Sequence, residues 1–259
     1  MKKELTKKEL EILPTKFDVV GDILIFADFP SKLVKKEKVI GNKILENFPN
    51  VKVVCKKTKQ YSGKFRTPKL KIIIGEKRTY TTYKENNVTV NLDVAKVYFS
   101  VRLSTERKRI NQLVKKDEIV LVMFSGVGIY PINISKNTKA KEIYGVEINP
   151  TAHKYALENV KLNKMINIKL FKGDVNSILP KIRKKFDRIL MPLPRGAEDY
   201  LNLAYSKIKK NGMIHFYDFS HENDFNLVTK KIKKGKIISL VKCGQYGTRK
   251  YRVCLDIKI

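Results

Sequence analysis

The stretch Val120–Pro150 reads VLVMFSGVGIYPINISKNTKAKEIYGVEINP and decides the fold of the second half of this chain. An apolar run ends in Ser125-Gly126-Val127-Gly128, a helix-length segment follows, and a second apolar run ends in the acid Glu147. This order is typical of a nucleotide site on a parallel sheet, because glycines let the backbone approach a ligand and a carboxylate accepts ribose hydroxyls. Two glycines are only a fragment of a dinucleotide fingerprint, so the rest of the chain has to identify the ligand.

From Glu118 onward, apolar runs of strand length alternate with helix-length segments, and the chain finishes with two strand-like runs. Asn149-Pro150 predicts a helix start, with Asn as the cap and Pro at the first position. We therefore predict an α/β sheet with helices on both faces and a terminal β-hairpin. Ligands bind outside the carboxyl ends of such strands, which we place at Phe124–Gly128, Glu147, Asp174 and Met191–Pro194.

The sequence before about Leu92 differs in its pattern of predicted elements from the second half and contains no nucleotide motif. Phe17–Phe26 predicts strand, turn and strand around Gly21-Asp22, and Gln60–Lys69 predicts a basic loop. We predict a small α+β domain over residues 1–100, followed by the α/β domain over residues 101–259. In the connection, Ser104 or Thr105 is expected to cap a helix whose first turn contains Glu106. Taken alone, Glu106 is explained by the preference of acids for helix N-termini.

The chain has 55 Lys and Arg against 25 Asp and Glu in 259 residues, which gives a formal charge of +30. This excess favours a polyanionic partner, with nucleic acid as the commonest kind. The alternative is a lysine-rich or thermophilic surface, although ion-pair networks need acids in comparable number. The charged N-terminus lacks an apolar signal core and no apolar run is long enough to span a membrane, so we expect a cytoplasmic protein. A monomer is expected, because no self-complementary apolar surface is visible.

The three cysteines, Cys55, Cys243 and Cys254, form no CxxC pattern and no cluster with the three histidines. We therefore predict no metal site and a reduced, intracellular state. The sequence leaves open whether Cys243 and Cys254 face each other across a hairpin.

Nine segments together carry a family resemblance: FDVVGDILIF, YKENNVTVNLDVAKVYFSVRLSTERKRI, VMFSGVG, YGVEINPTA, ALENVKLNK, GDV, MPLP, GMIHFYDFS and YRVCLDIKI. The second half resembles a class I S-adenosylmethionine-dependent methyltransferase. Almost the whole chain resembles the archaeal and eukaryotic tRNA (guanine-N1)-methyltransferase family, which acts on guanosine 37. The resemblance implies a Rossmann-like catalytic domain preceded by a small tRNA-contacting domain. It also implies S-adenosyl-L-methionine as the cofactor and the tRNA anticodon stem-loop as the partner.

The resemblance also assigns roles to individual positions. Cofactor contacts are expected at nine positions, two of which are the glycines of the turn: Tyr98, Phe124, Gly126, Gly128, Glu147, Ile148, Asp174, Val175 and Pro194. Glu106 matches the acid implicated in removing the proton of guanine N1, with Arg102 beside it and Pro192 and Pro194 as further catalytic-loop positions. Contacts with tRNA are expected at Arg66, Lys69, Arg107 and Arg249. Without the family, Asp174 is explained by a turn after Gly173, and Pro192–Pro194 by the end of a buried strand.

Three positions depart from the family pattern. Val122 stands where the family has an acid at the end of the first strand, which puts one loop or amino-group contact in doubt. Pro192 replaces the Asn of an Asn-Leu-Pro motif, and so resembles an archaeal subgroup that also methylates carbon 7 of 4-demethylwyosine. Pro68 stands where a basic residue is expected, with Lys64, Arg66 or Lys69 as substitutes. Two alternatives stay open: a wyosine-pathway aminocarboxypropyl transferase, and a catalytically silent tRNA-binding protein.

Overall fold

The computed structural model describes residues 4–193 and 196–259, with the backbone alone described at 60–62. The chain forms two compact units, an N-terminal unit of Met1–Lys84 with Thr89–Val101 and a C-terminal unit of Glu85–Val88 with Arg102–Ile259. The functions that we assign to residues 1–100 and 101–259 stay predictions. Over the described residues, no helix combines the length and the apolar character needed to cross a membrane.

The N-terminal unit is built on a four-stranded sheet in the order β1-β2-β3-β4. β2 pairs antiparallel with β1 and parallel with β3, and β3 pairs antiparallel with β4. A second hairpin, β5–β6, follows this sheet. In chain order the elements are α1 (Lys7–Glu11), β1 (Phe17–Val20), β2 (Ile23–Phe26), α2 (Glu37–Asn47), β3 (Val53–Ser62), β4 (Thr67–Gly75), β5 (Tyr80–Glu85) and β6 (Val88–Asp93).

The strand-turn-strand predicted for Phe17–Phe26 is confirmed by the pairing of β1 with β2. Gly21 has φ +58°, and a Cβ there would lie 2.2 Å from the Thr81 hydroxyl oxygen, so the turn requires glycine. The basic loop predicted for Gln60–Lys69 is wrong in extent, because β3 ends at Ser62 and β4 begins at Thr67. β4 lies at the edge of the sheet, where a strand tolerates Pro68.

The C-terminal unit is built on a seven-stranded sheet in the order β12-β13-β11-β10-β7-β8-β9. Five strands from β9 to β11 are parallel, and β13 pairs antiparallel with both β11 and β12. The elements are α3 (Ser104–Leu113), β7 (Ile119–Met123), α4 (Ile129–Asn137), β8 (Glu142–Glu147), α5 (Pro150–Leu162), β9 (Ile168–Lys172), α6 (Val175–Ile178), β10 (Phe186–Met191), α7 (Leu201–Lys207), β11 (Ile208–His221), α8 (Phe225–Thr229), β12 (Lys236–Gly247) and β13 (Lys250–Lys258).

The predicted α/β sheet with a terminal hairpin is confirmed. The strand order reverses between β7 and β10, and this switch point places the crevice of the sheet at their carboxyl ends. β7 is apolar along its whole length, because helices cover both faces of a parallel sheet. Leu121, Val146, Ile189, Ile214 and Leu255 belong to the resulting core.

Two helix starts test the capping predictions. Asn149 caps α5 as predicted, because its side-chain oxygen accepts the backbone N–H of Thr151 at 2.9 Å. The cap predicted at Ser104 or Thr105 is wrong. A single 3₁₀ turn leads into α3, which already begins at Ser104, and Leu103 at the cap position makes no side-chain hydrogen bond.

Replacing Glu142 with Gln is expected to lower stability at neutral pH and to have little effect in acid. Lys184 donates to this carboxylate at 2.6 Å, and the hydrogen bond from Lys184, with help from Tyr144, lowers the pKa of Glu142 to about 2. A lowered pKa means that the carboxylate stabilises the fold above about pH 4.5, and that this contribution is lost as the pH falls toward 2. The pair is near the surface, so we expect roughly 0.5–1 kcal/mol at pH 7.

Urea unfolding at pH 7 and at pH 3 measures this difference between the two proteins. Glu46→Gln is the matched control, because Glu46 pairs with Lys43 on an exposed helix and should contribute only a few tenths of a kcal/mol. A Glu142→Gln deficit of the same size at both pH values would contradict the expectation.

Candidate active site

The turn between β7 and α4 has an unusual backbone. Phe124, Gly126 and Gly128 have φ values of +61°, +57° and +84°. Ser125 between them is fixed to the next strand, because its N–H donates to the Val146 carbonyl at 2.9 Å. This turn exposes backbone next to the start of α4, and such a turn lets a ligand approach the chain closely.

Gly128 also lies against the neighbouring helix. A Cβ there would be 3.2 Å from Cβ and 3.3 Å from Cα of Ala156 in α5. Gly128→Ala is therefore expected to destabilise the protein by about 2–3 kcal/mol, through left-handed strain and crowding of α4 against α5. Gly63→Ala is the control, since Gly63 has φ +71° and open space around its Cβ position. Strain alone predicts about 1–2 kcal/mol there, and equal losses in urea unfolding would show that the packing is irrelevant.

Glu147 ends β8 and faces the same turn. Its Oε2 accepts the N–H of Gly126 at 2.7 Å, and its Oε1 accepts the N–H of Asn149 at 2.7 Å. Burial raises the pKa of Glu147 above its usual value, and the backbone hydrogen bonds of Asn149 and Gly126 act against that shift. The N–H of Ile148 acts in the same way, so three backbone donors orient a carboxylate that keeps acceptor capacity for a ligand hydroxyl.

Asp174 and Val175 follow β9 at the same edge. Asp174 caps α6, because its Oδ1 accepts the N–H of Asn176 at 2.9 Å, and Val175 is buried. The loop is joined to β8 by the N–H of Gly173, which donates to the Glu147 carbonyl at 2.9 Å. The capping bond uses one oxygen of Asp174, and the other oxygen accepts no hydrogen bond from the described residues.

The end of β10 completes this edge. The N–H of Leu193 donates to the Met191 carbonyl at 2.7 Å, so the chain turns sharply after the strand. The ring of Tyr200, beyond this turn, packs edge-to-face on Phe124 with centroids 5.0 Å apart. Pro192 is half-buried, and the predicted site residue Pro194 lies outside the described residues.

The three loops after β7, β8 and β9 thus bring together most of the predicted cofactor residues, namely Phe124, Gly126, Gly128, Glu147, Ile148, Asp174 and Val175. This set fits S-adenosylmethionine, because a carboxylate suits a ribose diol and an acid beside apolar side chains suits an adenine. Val122 is fully buried within β7, so it adds an apolar side chain and no polar contact to the set. Tyr98 lies half-buried in the N-terminal unit, and its cofactor contact stays a prediction.

Glu106 lies in the first turn of α3 and is held at both carboxylate oxygens. Arg109 donates from Nε to Oε2 at 2.7 Å and from Nη2 to Oε1 at 2.8 Å. The hydroxyl of Tyr217, near the carboxyl end of β11, donates to Oε1 at 2.7 Å. The Glu106 side chain is 1% exposed, so its carboxylate is shielded from solvent.

The two other arginines near Glu106 differ in exposure. Arg102 is exposed, and its Nη1 donates to the backbone carbonyl of Gln245 at 3.2 Å. Arg107 is 2% exposed, forms a two-point ion pair with Glu85 and lies over the ring of Tyr130. The prediction that Arg107 contacts tRNA needs correction, because a buried guanidinium bound by a carboxylate is not presented to a phosphate.

The remaining basic candidates lie on turns and edges. In the N-terminal unit, Arg66 belongs to the turn between β3 and β4, and Lys69 is exposed on β4. In the C-terminal unit, Arg249 is exposed in the turn between β12 and β13, where it pairs with Glu222. The structure describes where these three residues lie, and their contact with tRNA stays a prediction.

Comparison with known proteins identifies the family. A model of the TRM5/TYW2 methyltransferase domain matches residues 81–241, and a model of the TYW2 N-terminal domain matches residues 1–79. The chain belongs to the TRM5/TYW2 methyltransferase family. The family and fold class predicted from the sequence are therefore confirmed.

Three relatives illustrate the range of activities named in this family. The chain is 39% identical to "tRNA (guanine(37)-N(1))-methyltransferase Trm5b" of Pyrococcus abyssi, over 95% of this chain and 76% of the relative. It is 34% identical to "tRNA (guanine(37)-N(1))/4-demethylwyosine(37)-methyltransferase Taw22" of Nanoarchaeum equitans, over 93% and 98%. It is 31% identical to a Methanocaldococcus jannaschii "tRNA(Phe) (4-demethylwyosine(37)-C(7)) aminocarboxypropyltransferase", over 94% and 97%.

Solved structures agree with the fold. Pyrococcus abyssi Trm5b superposes with a TM-score of 0.88 at 37% identity, covering 98% of this chain and 78% of that chain. A complex of aTrm5 and tRNALeu superposes with a TM-score of 0.86 at 30% identity, covering 99% and 76%. Methanocaldococcus jannaschii TYW2, solved with AdoMet, gives a TM-score of 0.69 at 26% identity, covering 94% and 98%.

This TRM5/TYW2 family member also contains a buried polar cluster that the sequence reasoning missed. The sequence could have predicted the part played by Arg109, because Arg109 lies three residues after Glu106 and therefore on the same helix face. Tyr217 and Asp256 gave no such signal, since they are 111 and 147 positions from the α3 residues that they contact.

One group in this cluster has the residue types of a metal site: His215, Cys254 and Asp256 place ligand atoms within 4.8 Å of one another. Two guanidinium groups already occupy it. Arg109 Nη1 donates to Asp256 Oδ2 at 2.7 Å, and Arg188 Nη1 lies 2.7 Å from His215 Nε2. Because these positive charges repel a cation and use the same ligand atoms, the group is an ion-pair network.

Proposed function

We propose that this chain transfers a methyl group from S-adenosylmethionine to N1 of guanosine 37 in tRNA. The observation that carries the proposal is 39% identity over 95% of the chain to a relative named for that reaction. The site supports it, because Glu147, Asp174 and the glycine turn fit the cofactor and Glu106 lies in the same unit. The tRNA complex of a structural neighbour at 30% identity supports the choice of partner.

The bound cofactor supplies a methyl group on a positively charged sulfur, which keeps the electrons of the broken carbon–sulfur bond. The lone pair of guanine N1 forms the new bond to carbon, and the N1 proton passes to a carboxylate oxygen of Glu106. Three hydrogen-bond donors occupy the Glu106 carboxylate, which leaves one acceptor position on Oε2 for this proton. Because Glu106 is buried, the guanine has to leave its stack before the proton can transfer.

A second activity, methylation of carbon 7 of 4-demethylwyosine, is proposed on two observations. The 34% identical relative from Nanoarchaeum equitans carries both activities in its name. Pro192 also has no side-chain amide with which to select guanine, so the loop after β10 discriminates less against a tricyclic base.

Transfer of the aminocarboxypropyl group is the competing function, favoured by the N-terminal match to the TYW2 domain and by the 31% identical relative. Two labelled cofactors separate the possibilities. We expect methyl label to enter a guanosine-37 transcript and carboxyl-carbon label to stay out. Carboxyl label entering tRNA that bears 4-demethylwyosine would assign the chain to the competing function. Label in neither substrate would leave a silent tRNA-binding protein.

Mass analysis of the product nucleosides locates the methyl group. A transcript with adenosine at position 37 is the control and should stay unlabelled. 1-Methylguanosine supports the main proposal, and a methylated tricyclic nucleoside from the second substrate supports the second activity.

We propose that Arg66, Lys69 and Arg249 contact the anticodon stem-loop. Their support is a position on turns and edges in a chain of charge +30, with Lys69 and Arg249 exposed and Arg66 half-buried. Each lost phosphate contact should weaken tRNA binding and reduce the slope of log affinity against log salt by about 1. Filter binding across a salt series tests each Ala variant, and an unchanged slope would remove that residue from the interface.

We propose further that the protein acts in the cytoplasm as a monomer. Its similarity to relatives named as tRNA methyltransferases supports the first statement. Sedimentation with and without tRNA tests the second statement, and cell fractionation tests the first.

A further inference from the structure

The Glu106 carboxylate is oriented by a guanidinium that it shares with a second acid. Arg109 donates from Nη1 and Nη2 to the two oxygens of Asp256, at 2.7 and 3.2 Å, while Nε and Nη2 hold Glu106. A guanidinium is planar, so two carboxylates bound to its edges are fixed in direction as well as in distance. The position of Asp256 on β13 thereby sets the direction of Glu106 on α3.

Asp256 is itself fixed by three further groups, of which the Cys254 thiol is the most distant, with its Sγ 3.5 Å from Oδ1. His215 Nδ1 lies 2.6 Å from Oδ1, and the Ser239 hydroxyl donates to Oδ2 at 2.7 Å. Arg188 faces His215 Nε2 and an arginine can only donate, so Nε2 is the acceptor and Nδ1 carries the proton toward Asp256. The chain of contacts ends at Arg188, which Glu118 holds at 2.7 Å.

The protonation states of the cluster follow from burial and contact. Burial lowers the pKa of His215, so the ring is neutral at pH 7. Burial acts to raise the pKa of Asp256, yet the hydrogen bonds from His215 and Arg109 hold that pKa well below its usual value. Asp256 is therefore a carboxylate that competes with Glu106 for the charge of Arg109.

Four other titratable groups lie close enough to feel the charge of Glu106: Tyr130 of α4, Tyr217 of β11, Cys243 of β12 and Cys254 of β13. Burial raises the pKa of each of them, to about 12 for Cys243, so all four are neutral at pH 7. Arg107, which lies over the Tyr130 ring, is neutralised by Glu85. Arg109 is thus the charged group in direct contact with Glu106, and Asp256 acts on Glu106 through Arg109.

We propose that Arg109 and Asp256 are positioning residues, which orient Glu106 and divide the charge of Arg109 between two carboxylates during proton removal. This inference rests on the proposed function. Without the Asp256 carboxylate, the positive charge of Arg109 interacts with Glu106 alone. The guanidinium also loses the contact that fixes the orientation of its plane. A proton acceptor neutralised and misaligned in this way works more slowly, while the cofactor loops after β7, β8 and β9 are unaffected.

Asp256→Asn tests the inference in the full-length protein, with wild type assayed first for guanosine-37 methylation. We expect kcat to fall about 10- to 100-fold, with KM for cofactor and tRNA within about twofold of wild type. The dependence of kcat on pH is measured in the same assay and should differ from that of wild type. A merely structural role would lower stability without changing this dependence.

Two more variants complete the test. Glu118→Gln is the control, because it weakens the same buried network at its far end and should leave kcat and the pH profile at wild-type values. Ser239→Ala removes a single hydrogen bond to Asp256, and we expect kcat to fall about two- to fivefold. This variant tests the role of Asp256 if Asp256→Asn does not fold. Wild-type kcat and pH profile in Ser239→Ala and in folded Asp256→Asn would overturn the inference, while an inactive wild type would overturn the proposed function itself.

Discussion

Replacing Glu106 with Gln is expected to lower kcat for guanosine-37 methylation by about 10²–10⁴-fold. The amide has the same shape but cannot take the proton that leaves guanine N1. Among the described residues, the Glu106 carboxylate is hydrogen-bonded by Arg109 and Tyr217 and not by the cofactor loops, so affinity for S-adenosylmethionine should change by less than about threefold. Single-turnover kinetics and calorimetric cofactor titration measure the two quantities separately.

Glu106→Gln also disturbs the buried ion pair between Glu106 and Arg109, so the free energy of unfolding is measured for the same variants. Arg109 keeps Asp256 as a partner in Glu106→Gln, which limits the loss. Glu118→Gln is again the matched control, since Glu118 also loses one bond to a buried arginine and is remote from the proposed chemistry. An unchanged kcat in Glu106→Gln would remove Glu106 as the proton acceptor. Equal losses of kcat in both variants would show that the network only supports the fold.

Sequence reasoning succeeded where the signal was local. Asn149-Pro150 predicted the start of α5 because a cap and its target N–H groups lie within three residues. Glu147 was predicted as a cofactor residue because strand ends carry ligand contacts in this architecture. The structure places it at the end of β8 against the glycine turn, and its contact with the cofactor stays a prediction. The basic loop at 60–69 failed because lysines alternate along the exposed face of β3 and β4, where a polar strand resembles a loop in composition.

Long-range pairs explain most of what the sequence could not predict. Arg107 was expected to contact tRNA because of the family resemblance, and only the fold shows that Glu85 on the β5–β6 hairpin neutralises it. Arg109 joins Glu106 to Asp256 over 147 positions, a distance at which no spacing rule applies. Charge in a sequence therefore indicates a partner, but it does not separate surface charges from buried ion pairs.

The buried pairs also sharpen the meaning of the net charge. Arg107 with Glu85, Arg188 with Glu118, and Arg109 with its two acids account for charges of both signs inside the C-terminal unit. These groups nearly cancel one another, so the excess of +30 remains for residues nearer the surface. A surface of this kind attracts a polyanion at long range and makes binding strongly dependent on salt.

Replacing Glu147 with Gln is expected to weaken S-adenosylmethionine binding by about 100-fold or more. The carboxylate offers each ribose hydroxyl a charge-assisted hydrogen bond, and such bonds contribute about 1.5–3 kcal/mol each. The Gln amide also turns an N–H group toward the backbone N–H of either Gly126 or Asn149, both of which now donate to Glu147. Calorimetric titration measures Kd, and urea unfolding checks that the apo protein stays folded.

Glu142→Gln is the matched control, because Glu142 begins the strand that Glu147 ends and should leave Kd unchanged. The pH dependence gives a second test. Because burial raises the pKa of Glu147, protonation should begin to weaken cofactor binding at a pH above the ordinary carboxyl value of 4.5. Affinity in wild type is thus expected to fall as the pH is lowered, whereas Glu147→Gln should bind weakly and without this dependence. A wild-type Kd that is constant from pH 8 down to pH 4.5, or a Glu147→Gln Kd near that of wild type, would place the ribose elsewhere.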